Sequence, residues 1–333
     1  MLHAIDITGP VDHARIRSAL GDGFFFVRNT VPESLLDEAY QLLGEFYRLP
    51  AEDKLSCRTV GSNGQAGYTP PLVETAELGV APDWKELFHW GTRLPPAHPL
   101  RTRYPARYPD PVFPDRRIPE LARVLTDLHT RMLDFQHHVV GQIAEALGAH
   151  RDYFTEMLQD GPVVNRATWY PPMENAPSAN HLWAVEHQDF DLITALPRAT
   201  AGGLQVLHRD NQWLPIDAPD GYAVVNVGMV LERLTDGLAK AAWHRVVAAP
   251  GQTGGRLSIV QFCHPAPWSV LTPLRSTDPG WKPSRFPTLT ADDLFQRTMY
   301  RINRLDAQRP TEAPTPTAVP AAAAAVPAAA RES

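Results

Sequence analysis

The spacing of apolar side chains changes character along the chain. Gly23-Phe24-Phe25-Phe26-Val27 is a continuous apolar run, which reads as a buried strand. Pro32-Glu33-Ser34 then opens an amphipathic helix carrying Leu35, Leu36, Ala39, Leu42, Leu43 and Phe46. Residues 11–57 therefore read as two helices around a short strand. Residues 58–116 are rich in Pro, Gly and Tyr and predict loops, with a strand at Glu86–Trp90. Pro119 starts the longest helix, reaching to about Leu147. Leu121, Val124, Leu125, Leu128, Met132, Phe135, Val139, Ile143 and Leu147 recur at steps of three and four, and Gly148 supplies the stop. From Val163 to about Pro273 the pattern shifts to short strands separated by turn residues, among them Gly203–Leu207, Trp213–Ile216, Ala223–Val227 and Leu257–Cys263. Such a succession indicates a sandwich or barrel. A last helix, Ala291–Asn303, follows Thr290 as N-cap, with Asp292 and Asp293 in its first turn.

Composition narrows the class. The chain has 333 residues, 44% hydrophobic and 20% charged, with a formal net charge of -6. These are ordinary values for a soluble globular protein. No long basic run is present, so nucleic acid is not an expected partner. Two cysteines, Cys57 and Cys263, are too few for a disulfide framework or a thiolate zinc site. No signal peptide and no membrane span are read, so a cytoplasmic protein is expected. From Pro310 to Ala330 the chain is mostly Ala, Pro and Thr, which predicts a disordered tail over 307–333. The expected organisation is an N-terminal helix, strand and loop region over 1–117 and a β-rich core with its long helix and C-terminal helix over 118–306. The tail completes the chain. No internal repeat is seen.

The candidate chemistry lies in the β-rich stretch. His187-x-Asp189 is followed, after 54 intervening residues, by His244. Two imidazoles and one carboxylate on one face of a metal leave the opposite face open, the arrangement of non-haem Fe(II) oxygenases. On an extended strand His187 and Asp189 would face the same way. With 13 histidines in the chain, His-x-Asp alone could be a chance pairing of unrelated polar residues. Arg256-x-Ser258, twelve residues past His244, adds weight. An arginine fork grips a carboxylate with two charge-assisted hydrogen bonds, and the serine hydroxyl can add a third. Triad and clamp together suit an iron enzyme that uses a 2-oxo acid. His129, His137 and His138 read as helix-surface residues and His208 as a turn residue. Trp84, Lys85, Phe88, His89, Trp90, Asn165, Arg166, His181 and Trp183 are divided between core packing and a pocket wall.

Nearly the whole chain outside the tail resembles the 2-oxoglutarate-dependent dioxygenases of the isopenicillin N synthase-like group. The resemblance rests on Leu49-Pro50-Ala51-Glu52-Asp53-Lys54-Leu55, Asp83-Trp84-Lys85-Glu86, Trp169-Tyr170-Pro171-Pro172 and His187-Gln188-Asp189-Phe190-Asp191. It continues through Val225-Asn226-Val227-Gly228, His244-Arg245-Val246 and Arg256-Leu257-Ser258. It implies a double-stranded β-helix, or jelly roll, within a mainly β, α+β fold. It implies His187, Asp189 and His244 as Fe(II) ligands, and Arg256 and Ser258 as holders of the distal carboxylate of 2-oxoglutarate. Tyr170 would add a phenolic hydrogen bond. Thr168 stands where the group often has Asn and can offer a hydroxyl but no amide. Met229-Val230 follows Gly228 where many members carry Asp, a position read as supporting the barrel. Expected partners are Fe(II), 2-oxoglutarate, O2, ascorbate as an accessory reductant, and a small-molecule substrate; the oligomeric state is open, with a monomer favoured. Hydroxylation, desaturation and ring formation are all open, while Asp189 argues against halogenation. The Ala/Pro-rich tail and arginine usage suggest specialised metabolism, such as antibiotic biosynthesis, in a high-GC bacterium. The rivals are an oxidase of the same fold that needs no 2-oxoglutarate, a jelly-roll binding protein without chemistry, and a zinc hydrolase. The last lacks a nearby Glu base in a recognisable motif.

Overall fold

The computed structural model describes residues 2–62, 64–74, 81–178, 180–208, 210–274 and 286–303. The expected tail from residue 307 lies outside the described residues. Twelve strands are present among them. They are β1 (Ala4–Ile5), β2 (Phe24–Arg28), β3 (Gly67–Thr69), β4 (Glu86–Gly91), β5 (Val163–Tyr170) and β6 (Ala184–His187). The rest are β7 (Ile193–Ala199), β8 (Leu204–Leu207), β9 (Trp213–Pro215), β10 (Tyr222–Val227), β11 (His244–Val246) and β12 (Arg256–Cys263). The helices are α1 (His13–Asp22), α2 (Glu33–Arg48), α3 (Ala51–Leu55), α4 (Pro99–Arg103), α5 (Leu121–Ala146), α6 (Tyr153–Leu158), α7 (Met229–Leu234) and α8 (Ala291–Asn303). The strands expected at Gly23–Val27, Glu86–Trp90, Gly203–Leu207, Trp213–Ile216, Ala223–Val227 and Leu257–Cys263 each form to within one residue at either end, and β6 is described below.

The strands form two sheets. The larger has eight strands in the order β1-β2-β10-β7-β12-β5-β4-β3, the smaller four in the order β6-β11-β8-β9. Side chains alternate sides along a strand, so each strand of the large sheet serves two different spaces. On β2, Phe25 and Val27 join a core shared with α1, α2 and α5, whereas Phe24 and Phe26 enter a second cluster facing the small sheet. On β10, Ala223, Val225 and Val227 face the helices and Val224 faces inward. The space between the sheets is the interior of a jelly roll, as expected. Burying each large apolar side chain contributes roughly 1.5–3 kcal/mol, so both clusters stabilise the sheet from opposite sides.

Local chemistry sets the element ends. Asp12 Oδ1 accepts from the backbone N–H groups of Ala14 (2.9 Å) and Arg15 (3.2 Å), capping α1. Gly23 ends α1 at φ +79°, a left-handed conformation that glycine adopts without strain. A Cβ there would also collide with Lys240 O. Thr290 and Asp293 cap α8 reciprocally, with Asp293 N–H donating to Thr290 Oγ1 (3.1 Å) and Thr290 N–H to Asp293 Oδ2 (2.9 Å). The long helix α5 does not present all three of its histidines to solvent, contrary to the sequence reading. His138 is exposed and His137 half-buried, but His129 turns inward toward Asn165 and Gln261.

Candidate active site

His187 is the last residue of β6 and His244 the first of β11, and the two are directly paired in the antiparallel ladder. This register brings their ring centroids to 4.3 Å. Asp189 is not on the strand. β6 ends at His187 because the chain then crosses from the small sheet to β7 of the large one. The crossing is pinned where Met229 N–H donates to Asp189 O (2.8 Å) and Val230 N–H to Asp191 O (3.0 Å). Gly228 allows this approach, since a Cβ would collide with Asp191 O. The result still gathers the three side chains: one ligand atom from each of His187, Asp189 and His244 lies within 4.8 Å of the others.

The surroundings prepare each group. His187 Nδ1–H donates to Val185 O (2.7 Å) and His244 Nδ1–H to Ala242 O (3.3 Å), which leaves both Nε2 lone pairs for a metal. Phe24 packs edge-on against His244 at 5.4 Å. Thr194 Oγ1–H (2.6 Å) and Asn226 Nδ2–H (2.8 Å) both donate to Asp189 Oδ2. Burial pushes the Asp189 pKa up, but His244, His187 and those two donors outweigh it and hold the carboxyl below its ordinary range. Burial, aided by His244, holds His187 neutral, well below the usual histidine range. A neutral His187 and an ionised Asp189 are in the protonation states that metal binding requires of them. The residues present therefore fit a divalent cation.

The clamp occupies the facing sheet. Arg256 pairs with Tyr170 and Ser258 with Thr168 across the β12–β5 ladder, so all four side chains project into the barrel side by side. Arg256 is 2% exposed. Its Nε–H donates to Ala201 O (3.0 Å) and one Nη to Ser258 Oγ (2.9 Å), and its guanidinium lies 5.1 Å from the Tyr170 ring centroid. Because Ser258 Oγ accepts from Arg256, its own hydrogen is free to point at an anion. One cavity of about 70 Å³ is lined by the three triad residues together with Arg256, Ser258, Thr168 and Tyr170. All seven candidate residues are thus brought together.

A larger chamber of about 350 Å³ adjoins this cavity and shares Lys85, Arg166, His187, Asp189 and Phe262 with it. Phe190, Met229, Trp243 and Met299 contribute apolar wall. Met229, read from the sequence as a barrel support, faces this chamber. His181 and Trp183 do not line it; Trp183 is fully buried and its Nε1–H donates to Pro171 O (2.7 Å). Lys85 does, held by Asp83 (2.8 Å) and Glu74 (2.9 Å). Thr194 and Asn226 were not singled out in the sequence, although each is a polar residue at an inward position of an otherwise apolar strand. That break in alternation is the signal that finds them.

Two family models match the chain: the N-terminal domain of non-haem dioxygenases in morphine synthesis over residues 11–113, and the 2OG-Fe(II) oxygenase superfamily over 159–265. A 2OG-Fe(II) oxygenase family protein from Caulobacter crescentus is 33% identical and superposes with a TM-score of 0.76, over 89% of this chain and 97% of that one. A 2-oxoglutarate-dependent dioxygenase of Gibberella zeae is 31% identical over 72% of this chain, which spans 64% of that protein's length. The crystal structure of JOX2 in complex with 2OG, Fe and JA is 25% identical, with a TM-score of 0.71, over 89% of this chain and 84% of that one.

Proposed function

The chain belongs to the 2OG-Fe(II) oxygenase superfamily, and from that premise we propose that it oxidises a small organic molecule with Fe(II), 2-oxoglutarate and O2, releasing succinate and CO2. One observation carries this reading: a preorganised His-Asp-His set and a buried Arg-Ser clamp face each other across a single small cavity. His187, Asp189 and His244 are the metal ligands. Fe(II) held by them would supply the chemistry that links oxidative decarboxylation of the 2-oxo acid to oxidation of a substrate C–H bond. The protein's part is placement. The Nδ1–H bonds to Val185 O and Ala242 O fix both imidazole tautomers, and Thr194 and Asn226 fix the carboxylate. Arg256 and Ser258 hold the distal carboxylate of 2-oxoglutarate, with Thr168 and Tyr170 beside them on β5. The apolar walls around them exclude water and strengthen the charge pairing.

The chamber beyond the triad receives the substrate. Its volume of about 350 Å³ suits a compact molecule of the kind that specialised metabolism, including antibiotic biosynthesis, supplies. Two free buried cysteines agree with a reducing cytoplasmic setting. Anaerobic loading with Fe(II) and 2-oxoglutarate, followed by O2 and candidate substrates, tests the reading. Succinate formed in step with oxidised product is the expected outcome. Product without succinate would instead identify an oxidase that does not use 2-oxoglutarate.

A further inference from the structure

We propose that Arg166 anchors the substrate, and that the substrate class is a small organic acid whose carboxylate sits on its guanidinium; the inference rests on the metal and cosubstrate assignments above. The substrate chamber contains two cations, and they are not equivalent. Lys85 is 7% exposed and already paired with Glu74 at 2.9 Å and Asp83 at 2.8 Å, so its charge is consumed within the wall. Arg166 is held differently. Its Nε–H donates to His89 Nε2 (2.7 Å), which fixes the plane of the guanidinium. Phe262 supports it from below, 5.1 Å from ring centroid to Cζ. The terminal nitrogens are left with only a loose pairing, Nη2 to Glu74 Oε1 at 3.9 Å, beyond hydrogen-bond range.

A fixed guanidinium whose two end nitrogens lack close partners is a bidentate receptor for a carboxylate. Its position makes this useful. Arg166 lines both the cosubstrate cavity and the larger chamber, as do His187 and Asp189, so an anion held there is beside the metal. The remainder of such a molecule would lie along Phe190, Trp243, Met229 and Met299. His89 cannot replace Arg166 as the anchor. It is buried, held neutral well below the usual histidine range by desolvation and by Arg166, and its Nε2 is occupied as an acceptor.

The test uses the full chain loaded anaerobically with Fe(II) and saturating 2-oxoglutarate. The probes are 3-phenylpropanoate and its amide, 3-phenylpropanamide, which match in shape and differ in charge. Binding is read from the perturbation of the iron–2-oxoglutarate charge-transfer band and from thermal shift. The acid is expected to bind about 10- to 100-fold more tightly than the amide, the range for hydrogen bonds to a charged group. Arg166→Gln should erase that preference while leaving the affinity for 2-oxoglutarate unchanged. Arg166→Lys, which keeps the charge and loses the fork, should retain part of it and guards against misfolding of the Gln variant. Equal binding of acid and amide, binding of neither, or displacement of 2-oxoglutarate by the acid would overturn the inference while sparing the metal and cosubstrate assignments. So would an Arg166→Gln protein that weakens 2-oxoglutarate instead of the acid. Absence of the charge-transfer band in the unaltered protein would remove those assignments, and the inference with them.

Discussion

The two sides of the eight-stranded sheet are built from the same strands and have opposite character. On the helix side, Leu257, Ile259 and Cys263 of β12 enter an apolar core against α2 and α5. One residue out of phase on the same strand, Arg256, Ser258 and Phe262 line the cavities between the sheets. Polar groups occur on both sides but are treated differently. On the helix side the amide donors are spent within the protein: Gln261 Nε2–H donates to Asn165 Oδ1 (2.8 Å), and Gln136 Nε2–H to the carbonyls of Ile193 and Gln261, while Gln136 Oε1 and Gln261 Oε1 are buried without a donor. The barrel-side groups are held in place with binding capacity to spare. Folding and chemistry are thus separated by a single step of register, and a one-residue slip in β12 would exchange them.

The sharpest break in this comparison is on the small sheet. His244→Ala should lose iron and reduce turnover to background, while the metal-free protein keeps its melting temperature, because the helix-side core is untouched; metal analysis beside a thermal melt checks this. Next in size is Arg256→Ala. Removing one partner of a buried charge pair costs roughly 2–5 kcal/mol, or about 30-fold to several thousandfold in the 2-oxoglutarate requirement, with iron binding retained. If Arg256→Ala spared 2-oxoglutarate and weakened the organic substrate, the clamp would hold substrate instead.

Ile259→Ala tests the opposite side of the same strand. It should cost about 2–5 kcal/mol of stability in a denaturant titration and leave the 2-oxoglutarate requirement unaltered. Asn226→Ala removes one hydrogen bond to Asp189 and should weaken iron by about 10- to 100-fold, corresponding to ~1.5–3 kcal/mol. A fall in stability with unchanged iron affinity would show that Asn226 serves packing alone.

The smallest effect is a pH dependence from the helix side. Burial lowers the His129 pKa from its ordinary 6.5 to about 4. Below pH 6.5 the unfolded chain therefore takes up a proton that the folded one resists. The stability associated with neutral His129 is present in full above 6.5 and is lost as pH falls toward 4. At about pH 5.5 this amounts to about 1.4 kcal/mol. His129→Gln should flatten that limb of a pH-stability curve, and an unaltered slope would show that His129 is not its source.

The ligand types and the strand alternation were legible in the sequence because they depend on residue identity and on period two. That Arg256 and Ser258 share one face could be read this way because β12 is a regular strand. Asp189 reached the site by another route than the one its spacing suggested, since the crossing between sheets is tertiary and leaves no periodic trace. His129 was misread for a related reason. Helix periodicity marks a polar residue as solvent-facing unless its buried partners, here Asn165 and Gln261 from distant strands, are known. Arg166 stood out only as an inward-facing possibility, because its anchoring partner His89 lies on β4, 77 residues away.

The outermost strands of the large sheet are very short: β1 has two residues and β3 has three. A long, flat border would offer unpaired backbone groups to another molecule, and brief terminal strands deny that template. β2, which carries the run FFFVR, separates this border from the apolar YAVVNV sequence of β10. Trimming the first thirty or so residues would therefore do more than shorten the protein. It would uncover β10 as a sticky margin and invite self-association, so insolubility of such a fragment would report on sheet borders rather than on the iron site.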